Sequence, residues 1–246
     1  MALSLPPRAI SFRLLFLLAM ATSAARAVAT GEAAPPCSTT TEPTSQSATT
    51  AAFLRARCAT TLYPDVCYDS LLPYASTFQA SRVKLAVAAA DVAAAHLRAF
   101  SARIKDLLVR RGGGGAGSEE AATPGGAGGA RVDAALTDCA STISAAASLA
   151  KRSSAELTGL DAAMASTESS ASTVTGGGSR QARWQVSNAK TWLSAAMTNE
   201  GTCSDGFEDA GAAVTASPAG KDVAAGVATV TQHTSNALAL VNGIPL

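Results

Sequence analysis

Apolar residues recur every three or four positions along four long segments of the chain. The second segment shows the spacing best, with a stripe that consists of Val132, Leu136, Cys139, Ile143, Ala146, Ala150, Ser153, Leu157, Leu160 and Met164. Because an α-helix completes a turn in 3.6 residues, this spacing places one side of a helix against a neighbour. The pattern predicts an amphipathic helix that begins near Ala130 and ends before glycines 176–178.

Three further segments show related spacing. One runs from about Ser76 to Arg111, where Phe78, Leu85 and Val92 recur at intervals of seven. The stripes of the other two are Ala189, Leu193, Ala196, Glu200, Cys203 and Phe207, and Val223, Val227, Val230, Thr234, Ala237 and Val241. Four long amphipathic helices in sequence predict an all-α fold, an antiparallel four-helix up-down bundle.

A shorter helical unit precedes the bundle. The stretch Ala51–Tyr74 contains two apolar pieces separated at Tyr63-Pro64-Asp65, where proline cannot continue a helix interior. Cys58 and Cys67 flank this turn. A bridge between them would stabilise the unit by about 2–3 kcal/mol in the chain-entropy model. We therefore expect an N-terminal helical hairpin stapled by a disulfide.

The other two helical cysteines, Cys139 and Cys203, lie on inward stripes. If the second and third long helices turn near Ser172, these cysteines are about 33 residues before and 31 residues after the turn, hence nearly level. A level position brings the two Cα atoms within the limit of about 7 Å for a disulfide. Four cysteines allow three pairings. The geometry selects two bridges, Cys58–Cys67 and Cys139–Cys203.

The N-terminal region reads as a targeting segment. Arg8 and Arg13 lie before a short apolar core, Leu14–Ala21, and residues 25–27 and 27–29 each offer a small-x-small cleavage site. Residues 1–27 are therefore predicted to be a signal peptide of a secreted, extracellular protein. The apolar core is shorter than the roughly 20 residues that span a bilayer, and we expect no later span and no membrane association.

Composition divides the remainder into three parts. Residues 28–50 are rich in Ser, Thr and Pro and predict a disordered lead-in; they contain Cys37, the cysteine left over from the two bridges, which is either a free thiol or paired between molecules. The bundle domain is expected over residues 51–246. Within it, the glycine-rich residues 112–129 lack apolar periodicity and predict a flexible linker.

Charge and residue types limit the possible functions. Aromatic residues make up only 4% of the chain, which favours helices packed through small side chains. Residues 1–27 contain three arginines, so 16 basic and 18 acidic residues remain without them, and no basic stripe is visible. We therefore expect no nucleic-acid partner.

No arrangement typical of catalysis is visible. His96 and His233 lie on the first and fourth long helices without an adjoining nucleophile pattern, which favours packed or flanking histidines. Asp205, Glu208 and Asp209 are better explained by a solvated helix end than by an acid–base pair. No ligand spacing typical of a metal is present. The protein is predicted to have no enzymatic activity, no cofactor and no metal.

Four motifs carry a family resemblance. They are FLRARCATTLYPDVCYDSL, ALTDC at Ala135–Cys139, TWLSAAMTNEGTC, and SNALALV at Ser235–Val241. In this order, with all four cysteines in register, they resemble the plant invertase/pectin methylesterase inhibitor family over about residues 50–246. The resemblance implies a secreted four-helix bundle with a helical hairpin, two disulfides and no catalysis.

The resemblance also implies a partner enzyme. Members inhibit cell-wall enzymes through a one-to-one complex that covers the active-site cleft. In the invertase branch, a Pro-Lys-Phe tripeptide before the fourth cysteine reaches the enzyme; here Val186–Ala189 lies at about that place, and the chain has no Pro-Lys-Phe. The WLSAAMTNEGTC segment resembles the pectin methylesterase branch. We expect a monomeric, apoplastic inhibitor of pectin methylesterase.

Two alternatives stay open. One is an inhibitor of cell-wall or vacuolar acid invertase, and the other is a non-inhibitory secreted helical interaction module. For the partner surface, the resemblance implies a role for the threonine before the fourth cysteine, here Thr202. Asn199 and Asp205 flank Thr202 and are expected to reach the partner. Thr202 is alternatively a local polar residue near a helix end.

Overall fold

The computed structural model describes residues 45–112, 124–169 and 177–246. Within these ranges the chain forms helices and turns and no strand. The helices are α1 (Ser45–Cys58), α2 (Pro64–Leu71), α3 (Ala75–Phe78), α4 (Arg82–Gly112), α5 (Pro124–Ser169), α6 (Gly177–Asp209), α7 (Ala212–Thr215) and α8 (Pro218–Asn242), with a 3₁₀ turn at Leu72–Tyr74.

Helices α4, α5, α6 and α8 form the bundle. Each of these four helices packs against the next, and α8 returns to α4. Contacts between distant ends show the directions: Asp91 meets Lys151 while Arg111 meets Asp133. Arg103 likewise pairs with Asp222, and the Arg82 guanidinium donates to the Gly243 carbonyl. Neighbouring helices therefore run antiparallel, and the predicted all-α up-down bundle is confirmed.

Small side chains let the bundle helices approach closely. Alanines at 86, 90, 93 and 94 of α4 and at 146 and 150 of α5 are fully buried. Large aliphatic side chains fill the space between them, among them Leu97, Ile104, Leu136, Ile143, Leu157, Leu160 and Leu193. This alternation of small and large residues supplies a close-packed core with few aromatic rings.

The N-terminal hairpin is fastened both to itself and to the bundle. Cys58 at the end of α1 is bridged to Cys67 in α2, with their Cα atoms 5.5 Å apart. The buried side chain of Asn236 in α8 bonds the turn in both directions: the Tyr63 N–H donates to Asn236 Oδ1 over 3.2 Å, and Asn236 Nδ2 donates to the Tyr63 carbonyl over 2.9 Å. The turn therefore has a fixed position on α8.

The predicted helix Ser76–Arg111 is interrupted. Gln79 has φ of 50°, a left-handed conformation that ends α3, and α4 begins only at Arg82. The Ser81 hydroxyl accepts a hydrogen bond from the Lys84 N–H over 3.3 Å, which satisfies one free donor at the start of α4. The expected start at Ser76 is therefore wrong, since Ala75–Phe78 forms a separate turn of helix.

Other boundaries also differ from the expectations. Helix α1 begins at Ser45, inside the predicted lead-in 28–50. Residues 124–129 of the predicted linker 112–129 belong to α5, which begins with a proline, a residue suited to the first helical position. The signal peptide, Cys37, residues 113–123 and the turn near Ser172 lie outside the described residues.

Helix α4 is long and apolar enough to cross a membrane by length and composition, the single such helix in the described ranges. The expectation that no later segment has this character is therefore wrong for α4. Most of the apolar window is buried within the bundle. Burial of this kind is typical of a core helix.

Candidate functional site

A disulfide joins the middle of α5 to α6. Cys139 and Cys203 are both buried, and their Cα atoms are 4.4 Å apart across the seam. Cys139 and Cys203 thus lie at the same height along the α5–α6 pair, as the sequence predicted. The bridge holds α5 and α6 in register beside the residues named as a partner surface.

Thr202 lies on the exposed side of α6, directly before the bridged Cys203. Its hydroxyl donates to the Thr198 carbonyl over 2.9 Å, one turn earlier in the same helix. The helix continues for seven more residues to Asp209, so Thr202 is an interior helix residue and not a terminal one. The hydroxyl is held locally, while the methyl group and the helix face remain available.

Asn199 and Asp205 lie beside Thr202 on α6. Their spacing of three residues places all three on one side of the helix. Asn199 is half-buried and its Nδ2 donates to the Ala195 carbonyl over 2.8 Å, whereas Asp205 is exposed. We call Asn199, Thr202 and Asp205 the Thr202 surface. Two of its three side chains are therefore oriented by bonds to the α6 backbone.

Glu200 explains the interruption in the α6 stripe. Its side chain is fully buried between α6 and α8, where Thr231 Oγ1 donates to Oε2 over 2.8 Å and Thr234 Oγ1 donates to Oε1 over 2.6 Å. Burial raises the pKa of Glu200, and the two hydroxyls oppose that rise. The sequence showed Glu200 on the inward stripe but not its two threonine partners.

The two histidines meet between the neighbouring helices α4 and α8. The His96 and His233 rings stack with their centroids 3.7 Å apart and an angle of 16° between the planes. Partial burial lowers the pKa of His96, whose side chain is otherwise exposed; burial and then the neighbouring His96 lower the pKa of His233 to about 4. A neutral pair is favoured because two cations at this distance would repel each other. The sequence placed them on separate helices and gave no sign that they touch.

Acidic side chains end α6. Asp205, Glu208 and Asp209 are all exposed. In the three described ranges, no group of three His, Cys, Asp or Glu side chains could hold a metal ion. The three carboxylates are therefore exposed to solvent at the C-terminal end of α6.

An aromatic residue lies earlier on the same helix, before the Thr202 surface. Trp192 is half-buried on α6, and the Arg152 guanidinium of α5 lies 4.8 Å from its ring centroid. This cation–π contact joins α5 and α6 at a second point, which precedes the disulfide on α6. The α5–α6 pair is thus connected covalently at one point and through a side-chain stack at another.

Together these features define a class: an all-α bundle braced by disulfides, with a polar helix face held in register by a buried bridge. The family model described as "Plant invertase/pectin methylesterase inhibitor" matches residues 52–240. The match covers most of the chain, and the chain belongs to this family of inhibitor proteins.

Individual proteins are also similar to this chain in sequence. The chain is 31% identical over 191 residues to pectinesterase inhibitor 10 of Arabidopsis thaliana, covering 77% of this chain and 50% of that protein. It is also 31% identical to a 21 kDa protein of Daucus carota and to pectinesterase inhibitor 3 of Arabidopsis thaliana, covering 77% of this chain in both cases and 82% and 78% of those proteins. The chain thus spans half the length of the first relative. No solved structure matches the chain.

Proposed function

We propose that this protein is a secreted inhibitor of pectin methylesterase that acts in the extracellular cell wall. The family match and the relatives named pectinesterase inhibitors support this proposal. The observation that carries it is the position of Thr202, exposed on α6 and adjacent to the buried Cys139–Cys203 bridge. The inhibitor acts as a monomer in a one-to-one complex that blocks the active-site cleft and so limits pectin de-esterification.

A preformed surface suits this mode of action. Thr202 and Asn199 are tied to carbonyls of their own helix, and the bridge fixes α6 against α5. Little conformational entropy is then lost on binding, so a few anchored contacts can supply the affinity. Inhibition follows because a long polysaccharide and the bundle cannot occupy one cleft together, and no chemistry by the inhibitor is needed.

The α6 segment before the bridge favours the esterase over acid invertase. Val186 and Ala189 occupy the approximate place of the Pro-Lys-Phe tripeptide, and both are buried in the bundle core. Two of the four residues in Val186–Ala189 therefore face away from any partner. This position lacks the basic and aromatic side chains that the invertase branch presents.

Two enzyme assays and one pair of variants test the proposal. Purified protein is added to pectin methylesterase and to acid invertase, and release of methanol or glucose is followed. We expect inhibition of the esterase alone. Thr202→Arg should weaken that inhibition by at least about tenfold, because a long charged side chain disrupts the close contact expected at an interface centre.

The matched control is Thr229→Arg on α8. Thr229 is exposed, and its hydroxyl donates to the Ala225 carbonyl one turn earlier over 2.9 Å, as Thr202 does on α6. This variant should inhibit like the unmodified protein. Inhibition of invertase alone would reassign the target, and inhibition of neither enzyme would leave the non-inhibitory interaction module. Equal losses in both variants would remove Thr202 from the interface.

A further inference from the structure

A basic groove of about 600 Å³ lies between α4 and α5, outside the Thr202 surface. Its cations are Arg98 and Lys105 from α4, and Lys151 and Arg152 from α5. The rest of the described lining consists of serine and alanine side chains and includes no carboxylate. The sequence did not reveal this feature because the four cations come from two helices that meet only in the fold.

Two of these cations, Arg98 and Lys105, have no carboxylate partner among the described residues, whereas the Arg152 guanidinium stacks on Trp192. Lys151 Nζ pairs with Asp91 Oδ1 over 2.9 Å. In the part of the chain that the structure describes, no carboxylate pairs with Arg98, Lys105 or Arg152. A groove lined by one sign of charge raises the local concentration of oppositely charged ligands.

A buried hydroxyl gives a second, independent indication of a ligand. Ser101 lines the groove and is only 5% exposed. Its Oγ has no hydrogen-bond partner among the described residues. A buried polar group without a partner costs free energy, so a ligand towards which the Ser101 hydroxyl can rotate and donate would be favoured.

We infer that this groove binds a chain that carries several carboxylates, namely a polyuronate. Arg98 and Lys105 are seven residues apart, or about 10.5 Å along α4. Two cations at this spacing can each pair with a different carboxylate of an extended chain, which a single small anion does not supply. The small lining residues leave room for a sugar ring, and the Ser101 hydroxyl can bond to its oxygens after rotating towards them.

The choice of a polyuronate rests on the proposed function, whereas the polyanionic chemistry rests on the groove alone. Pectin methylesterase hydrolyses an uncharged methyl ester to a carboxylate and methanol. The groove therefore prefers the product of the target enzyme to its substrate. Such binding holds the inhibitor on pectin that has already been de-esterified.

The test measures binding of the full chain to oligogalacturonate by titration calorimetry, without any enzyme. At about pH 6 the uronate groups are ionised. We expect binding to the acid form, at least about tenfold weaker binding to the fully methyl-esterified form, and weakening between about 50 mM and 500 mM salt. Binding of the ester and the acid with equal affinity would overturn the proposal.

Variants with matched charge locate the binding. Arg98→Gln with Lys105→Gln should lower the affinity for oligogalacturonate at least about tenfold. The control, Arg131→Gln with Lys221→Gln, removes the same charge from exposed residues outside the groove and should leave affinity within about twofold. Equal losses in the two variants would show attraction by net charge alone and overturn the proposal.

A third variant tests the hydroxyl. Ser101→Ala should weaken binding several-fold while leaving the melting temperature unchanged or raised, since it removes an unpartnered group. Equal binding of single-stranded DNA with the same number of charges would assign the groove to nucleic acid instead. Because the titration contains no esterase, its failure and a failure of enzyme inhibition are distinguishable.

Discussion

Gly226 in α8 lies against the Phe100 ring of α4. A Cβ atom at Gly226 would overlap three carbon atoms of that ring. Glycine inside a helix is less favourable than alanine by about 1 kcal/mol. The close approach of α4 and α8 therefore depends on the absence of a side chain at this position, which outweighs the local cost.

Gly226→Ala should lower the free energy of unfolding by about 1–3 kcal/mol, because Phe100 must move or the helices must separate. Gly206→Ala in α6 is the control: a Cβ there would meet nothing within 4 Å, so the variant should be stabilised by up to about 1 kcal/mol. Denaturant unfolding measures both. A stabilised Gly226→Ala variant would contradict the proposed close contact.

Individual side-chain positions were only partly predictable. Placing Cys139 and Cys203 level needed only the helical rise and the hairpin order. The partner role of the Thr202 surface rests on the family resemblance and stays a prediction, because nothing in a three-residue spacing identifies a partner. The Glu200–Thr234 bond and the His96–His233 stack were out of reach, since each depends on the relative rotation of two helices.

At the scale of elements, the α5–α6 bridge is the main cross-link of the bundle. It joins residues separated by 64 positions, whereas the hairpin bridge joins residues separated by 9. In the chain-entropy model the cost of closing a loop in the unfolded chain rises slowly with loop length. The longer loop therefore gives the larger stabilisation.

Replacing Cys139 and Cys203 together with alanine should lower the free energy of unfolding by about 4 kcal/mol. Replacing Cys58 and Cys67 together should lower the free energy of unfolding by about 2–3 kcal/mol. The two losses can therefore be compared within one protein. Thermal or guanidinium unfolding measures both losses. An unchanged melting temperature in the Cys139 and Cys203 variant would contradict a stabilising role for that bridge.

Element boundaries followed the sequence where a strong signal was present. Pro64 marks the start of α2, and Gly243 follows the end of α8. The break at Gln79 was missed because Phe78-Gln79-Ala80-Ser81 contains neither glycine nor proline. The early start of α5 was missed because a glycine-rich composition outweighed the proline at 124.

At the scale of the molecule, buried titratable groups make stability depend on pH. The pKa of His233 is lowered to about 4 by burial, from an ordinary value of 6.5. The unfolded chain then binds more protons than the folded chain between these values. The contribution of His233 to folding stability is complete above pH 6.5 and is lost as the pH falls towards 4. The lowered pKa of His96 changes the stability in the same direction.

The protein should therefore lose about 2 kcal/mol of folding stability through His233 between about pH 7.5 and pH 4.5. His233→Gln should flatten this decline, as measured by urea unfolding at several pH values. Glu200→Gln should change the pH dependence of the free energy of unfolding in the opposite direction. Because the pKa of Glu200 is raised in the folded protein, ionising Glu200 lowers the stability as the pH rises through that pKa. The variant removes this loss. An unchanged slope in His233→Gln would contradict the assignment.

The Cys139–Cys203 bridge also changes what a protease can do to this protein. Any single cut between these two residues leaves both pieces joined through sulfur. A nicked molecule then migrates as one species until it is reduced, and α5 stays beside α6. The Thr202 surface is thereby protected against the most damaging result of cleavage, the loss of half of the bundle by diffusion.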